Sequence, residues 1–227
     1  MNNDTMRMTA VTIPSFGAAD VLRREEMTVP EPGPGEVSID VAYAGANFAE
    51  VLYRRGVVDV PLPFVPGIEV AGRIRAVGAG VDSVAVGQPV AALTIVNSGG
   101  YAEVAVTAAA LVAPLDGFGG GLDVAAALPS NSTTAFLVLD RVARIAPGER
   151  VLVHAAAGGV GSQLGQVARL LGAGRVVGTV GSTAKIETAM GFGYDEVVPR
   201  DRLTNVGESP RLRHHRATRT RSDGQGA

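Results

Sequence analysis

Cysteine is absent from the 227 residues, and so is tryptophan. Without cysteine there is no disulfide within the chain and no thiolate-held zinc or iron–sulfur centre. Histidine occurs only as His154, His214 and His215, so a multi-histidine metal site is not expected. Lysine occurs once, as Lys185, against 19 arginines. That bias reads as coding composition, but it singles out Lys185. No apolar run reaches the roughly 20 residues of a membrane span. The start, Met1-Asn2-Asn3-Asp4-Thr5, lacks the basic-then-apolar order of a secretory leader. A soluble cytoplasmic protein is the expectation. A net charge of -2 argues against nucleic-acid binding by the whole protein. What is present is 46% hydrophobic and 19% charged, enough to bury a core, at a length for one large or two small domains.

The first part reads as β-rich. Residues 8–13 and 36–44 alternate polar and apolar, the period of a half-buried strand. Pro30, Pro32, Gly33, Pro34 and Gly35 make a loop between them. Further short strands are predicted at 68–77, 88–95 and 101–106, which suggests a barrel-like or sandwich unit over residues 1–122.

Helical spacing follows, over 122–128 and 133–145. Val151-Leu152-Val153-His154 is a continuous run suited to a parallel strand buried on both faces. A glycine-rich stretch comes next, then a helix with Val160, Leu164, Val167, Ala168 and Leu171 on one face. Residues 175–180 read as a strand, 183–190 as a helix and 196–198 as the start of a third strand. This β-α-β-α-β order predicts the first half of a doubly wound sheet over residues 123–202. Residues 203–227 carry five arginines, both Glu208 and Asp223, and no aromatic. They are expected to form a disordered basic tail, with His214 and His215 solvated and no specific nucleic-acid contact.

The sharpest chemical signal is Ala156-Ala157-Gly158-Gly159-Val160-Gly161, where a strand ends and a helix begins. Gly158 would let the backbone approach a pyrophosphate, and Gly161 would let the helix lie close to the strand. Ala156 stands where the first glycine of G-x-G-x-x-G is usual. The alternative is an α/β turn with small residues for packing. At the end of the second strand, Thr179-Val180-Gly181-Ser182-Thr183 holds no acid for a ribose hydroxyl, and Lys185 follows. Gly181, Ser182 and Lys185 thus favour NADPH over NADH, the lysine as a point charge for a 2′-phosphate; otherwise Lys185 is an ordinary exposed helix lysine.

These residues resemble the zinc-free quinone oxidoreductases, the zeta-crystallin-like branch of the medium-chain dehydrogenase/reductases. The resemblance rests on His154 to Gly161, on Gly178 to Lys185, and on Gly67-Ile68-Glu69-Val70-Ala71-Gly72 with Gly78 and Val81. It rests also on Asn47-Phe48, Arg54-Arg55-Gly56, Gly87-Gln88-Pro89-Val90 and Gly100-Tyr101-Ala102-Glu103. It runs from about residue 6 to about residue 202. It implies an α/β chain with a GroES-like N-terminal domain followed by an incomplete doubly wound, or Rossmann, dinucleotide-binding domain. It also implies hydride transfer from NADPH to a quinone or enone without a metal. Ile68 stands where zinc-dependent relatives have a ligand histidine. Val58 stands where some enoyl reductases have a proton-donating tyrosine, and Tyr53 is one position later than the tyrosine of some quinone reductases.

The family reading makes Asn47 and Tyr53 the polar candidates near the substrate, and Thr134 a cofactor contact. Asn47 is otherwise a turn residue, Tyr53 a half-buried tyrosine, and Thr134 a capping or packing residue. His154 is expected to be a satisfied core histidine, and Glu69 to bond backbone or an arginine. The family continues with three more sheet strands, which the basic tail replaces here. That implies either a premature or out-of-frame ending or a short form completed by oligomerising, with strand 151–154 an exposed apolar edge. A homodimer is possible by analogy. A non-catalytic remnant that binds nucleotide weakly, or an interaction protein, is the alternative function.

Overall fold

The structure is a computed structural model and describes residues 6–203. The basic tail expected at 203–227 therefore lies, beyond Leu203, outside the described residues. The chain divides into two compact units between Ile145 and Ala146.

In the first unit, β1 (Arg7–Thr12) pairs antiparallel with β2 (Arg23–Thr28). A second, five-stranded antiparallel sheet has the order β6-β3-β4-β5-β7. Its strands are β3 (Glu36–Ala44), β4 (Glu69–Val77), β5 (Pro89–Leu93), β6 (Val104–Ala108) and β7 (Val112–Pro114). Alternation does the work: Val37 and Ile39 of β3 meet Val70 and Ile74 of β4 and Val90 of β5 in a fully buried core. A short helix, α1 (Phe48–Arg54), leads from β3 toward β4.

The helical region is cut differently from its sequence pattern. Pro129 takes the first position of a new helix, where its missing N–H costs nothing. The apolar stretch therefore splits into α2 (Leu122–Ala125) and α3 (Pro129–Phe136). A π-helical stretch, Leu137–Ala143, follows and ends at Arg144 in the left-handed region, φ 52°. α2 packs on β3 and β4, and α3 on β4 and β5. These helices thus belong to the first unit, and the division falls after them, whereas the sequence pattern changes at residue 122.

The second unit is a three-stranded parallel sheet of order β10-β9-β8, with β8 (Arg150–Val153), β9 (Arg175–Val180) and β10 (Glu196–Pro199). Two crossover helices join them, α4 (Gly159–Leu170), packed on β8 and β9, and α5 (Ile186–Met190), packed on β9 and β10. Mixed antiparallel and doubly wound parts are the expected fold class. The helix expected over 183–190 is a 3₁₀ turn, Thr183–Lys185, followed by α5. One expectation fails. β8 is not buried on both faces: Val153 is buried, while Leu152 is 50% exposed and His154 is exposed. β8 ends the sheet, and both crossover helices lie across the face that carries Val153, Gly178 and Val197.

Candidate functional site

In the first unit the polar residues converge at the start of α1. Asn47 is the residue before its first turn, and the Asn47 N–H donates to Glu50 Oε2 at 2.9 Å, the carboxylate arm of a capping box. The other oxygen, Glu50 Oε1, accepts the N–H of Ile68 at 3.2 Å. Glu69, 1% exposed, takes the Asn47 amide on Oε1 at 2.7 Å and the backbone N–H of Ser130 on Oε2 at 2.7 Å. Asn131 Nδ2 stands 3.4 Å from Asn47 Oδ1. Glu69 thus meets an N–H in the first turn of α3, the positive end of that helix, and Glu50 meets the N–H of the residue that caps α1.

Electrostatics follow from this crowding. Burial raises the Glu50 carboxyl above its ordinary value, backbone donors oppose the rise, and the nearby Glu69 adds to it. Burial, with Glu50 and Glu69 adding to it, pushes the Tyr101 phenol up to about 12. Its hydroxyl points at the Gly45 carbonyl, 3.4 Å away. Glu69 bonds backbone as expected, but its second partner is Asn47 and not an arginine. Tyr53, half-buried at the far end of α1, has its ring edge-on to Phe64 with centroids 5.5 Å apart. Thr134 is exposed on α3.

In the second unit the glycine-rich loop joins β8 to α4. Ala155 takes the left-handed conformation, φ 55°, and its carbonyl accepts the N–H of Gly158 at 2.8 Å. Ala156 is fully buried, and its N–H is tied to the Thr179 carbonyl of β9 at 2.8 Å. The turn's strained position is therefore Ala155, one before the place where the motif has its first glycine. Ala157 is half-buried, and Gly158 and Gly159 are exposed. The first helical bond, from the Ser162 N–H, reaches Gly158 O at 2.8 Å. The N–H groups of Gly159, Val160 and Gly161 precede it and are the donors that a helix start leaves without helical partners. A Cβ on Gly161 would collide with the Ala155 carbonyl, so only glycine lets α4 approach the loop this closely. In front of Gly158 the space is open apart from Ala155 O, 3.2 Å from where a Cβ would be. These features fit a dinucleotide pyrophosphate.

Gly181, Ser182 and Lys185, all exposed, follow the carboxyl end of β9. β9 runs parallel to β8, so they share the loop's edge of the sheet, where doubly wound folds bind ligands. His154 is not a core residue: its Nδ1 lies 3.1 Å from Thr179 Oγ1, and the residue is exposed. Sequence reasoning did not identify Glu50, Asn131 or Tyr194. Glu50 was visible in the Asn-x-x-Glu spacing; Asn131 and Tyr194 carry no local signal.

Residues 33–117 match the alcohol dehydrogenase GroES-like domain. The chain is 37% identical over 187 residues to the mouse protein named synaptic vesicle membrane protein VAT-1 homolog-like, covering 81% of this chain and 44% of that one. It is 38% identical over 195 residues to rat quinone oxidoreductase, covering 84% of this chain and 58% of the relative. A mycobacterial protein solved in complex with NADPH aligns with a TM-score of 0.76 at 35% identity, over 85% of this chain and 58% of that one. The chain belongs to the medium-chain dehydrogenase/reductase superfamily, among the quinone oxidoreductases and their VAT-1 relatives. It spans about half the length of the curated relatives it matches, 44% and 58% of the two above.

Proposed function

We propose that this chain binds NADPH and, without zinc, promotes hydride transfer to a quinone or an α,β-unsaturated carbonyl. The observation that carries the reading is the β8–α4 loop, with its three amide donors and the open space before Gly158. The mycobacterial relative solved with NADPH supports the choice of nucleotide. Bound NADPH supplies the hydride; the quinone takes it together with a proton from solvent and leaves as hydroquinone.

The chain's own residues hold and orient. Ala157, Gly158, Gly159, Val160 and Gly161 line the phosphate turn, with the N–H groups of the α4 start as donors. Gly181 gives room at the ribose, while Ser182 and Lys185 bond the 2′-phosphate. Thr134 contacts the nicotinamide. Asn47 donates to the substrate oxygen, and Tyr53 is a second polar contact for it. Phe48, 69% exposed beside Asn47, suits an apolar substrate. Zinc-independence is supported by the donor set: there is no cysteine, Ile68 precedes Glu69, and among the described residues no three His, Cys, Asp or Glu cluster to hold a metal. The reading takes the protein as cytoplasmic. It allows a homodimer, in which the β8 edge finds a partner strand.

The test is loss of nicotinamide absorbance with the purified chain, NADPH, and 1,4-naphthoquinone or an enone as probe, in the presence of a chelator. Chelator-insensitive turnover is expected. Tight NADPH binding with no turnover on either probe class would overturn the catalytic part.

A further inference from the structure

Glu69 is almost fully buried, yet the hydride transfer proposed above makes no use of it. Its two oxygens each accept a donor from a different segment, Asn47 Nδ2 before α1 and the Ser130 N–H in the first turn of α3. Gly45 makes its seat: a Cβ there would run into Glu69 Oε1 and the Ala126 carbonyl. The amide of an asparagine is nearly symmetric in shape, so sterics alone leave its two orientations close in energy. A carboxylate accepts only, so it selects one of them.

We infer that Glu69 is a positioning residue: it fixes which end of the Asn47 carboxamide faces the substrate and ties that amide to α3, the helix that carries Thr134. With one hydrogen of the Asn47 NH2 on Glu69 and Oδ1 turned toward Asn131, the second hydrogen is left to donate. The oxygen that becomes negative as a carbonyl accepts hydride needs such a donor. The inference rests on the reduction reading above. Gln is not a conservative replacement here. Its amide would turn an NH2 on either the Asn47 NH2 or the Ser130 N–H, setting donor against donor.

The test compares the full chain with its Glu69→Gln variant. The side-chain amide of Asn47, assigned by its loss in Asn47→Ala, is read by ¹⁵N–¹H correlation. Its resonances are expected to move, and its exchange with water to quicken, in Glu69→Gln. With a quinone probe, kcat is expected to fall about 10–100-fold, while the Kd for NADPH stays within about twofold. An unmoved Asn47 amide, or an unchanged kcat, overturns the assignment. If the parent chain does not turn over, the reduction reading fails, and the amide spectrum still decides whether Glu69 holds Asn47.

Should Glu69→Gln fold poorly, the paired variant Glu69→Gln/Asn47→Asp gives Gln an acceptor in place of a donor. It is expected to regain roughly 5 °C of Tm over the single variant. No recovery overturns the pairing.

Discussion

The hydroxyl of Tyr194 donates to the carbonyl of Gly161, 33 residues earlier, and joins the approach to β10 to the first turn of α4. Tyr194 is 4% exposed, and its ring lies over Gly165 and Gly178, where any side chain would collide with it. Burial pushes the phenol up to about 12, so it remains a donor across the neutral range. The glycine-rich turn before α4 is thereby braced from behind by Tyr194.

Tyr194→Phe keeps the ring and removes this bond. A loss of about 1 kcal/mol in unfolding free energy is expected, read as a lower denaturant midpoint at unchanged slope. NADPH affinity is expected to weaken a few-fold with it, because the Gly161 turn loses its brace. An unchanged midpoint would show that the bond contributes nothing.

Two glycine substitutions separate folding from binding in the same loop. Gly161→Ala drives a methyl into the Ala155 carbonyl and is expected to cost about 1–3 kcal/mol. Gly158→Ala meets only Ala155 O at 3.2 Å, so the fold is expected to hold while the methyl fills the space a pyrophosphate would need. Circular-dichroism melts and NADPH titration distinguish the two. Equal melts with equal loss of binding would contradict the division of roles.

Acid is expected to act on the second unit through Asp195. The Val176 N–H at 2.7 Å, then Arg169 at 2.5 Å, hold its carboxyl below its ordinary value of 3.8. A depressed folded value means that the stabilisation is complete above the ordinary value and is lost as pH falls through the lower one. The side chain is 40% exposed, so solvent screening keeps the effect to about 1 kcal/mol. Asp195→Asn is therefore expected to melt lower than the parent chain at pH 7 and to match it near pH 2. Glu50 has the opposite sign: its raised value favours the folded state as pH falls. A parent–variant gap that persists at pH 2 would contradict the assignment to Asp195.

The parts legible in the sequence were those whose physics is local. Alternation marked β1 and β3, and the glycine loop between an apolar strand and an amphipathic helix marked the β8–α4 turn. β2 escaped because Arg23-Arg24-Glu25-Glu26 lies exposed in a two-stranded ribbon and has no apolar side to alternate. β8 was read as buried on both faces because its composition is apolar, but burial is set by what packs on it, and Leu152 is half exposed. In the candidate site, Asn47 came through resemblance and Glu50 was encoded by capping spacing. The Ser130 N–H and the Tyr194 hydroxyl reach their partners across 61 and 33 residues, a closeness that only the fold creates.

Equilibrium titration of the purified 227-residue chain with NADPH, and separately with NADH, followed by nicotinamide fluorescence, tests nucleotide binding most directly. Saturable binding that is tighter for NADPH is expected, and Lys185→Ala should erase most of that preference at a cost of about 1–2 kcal/mol while leaving NADH unchanged. A folded chain that binds neither nucleotide, or a preference that survives Lys185→Ala, would contradict it.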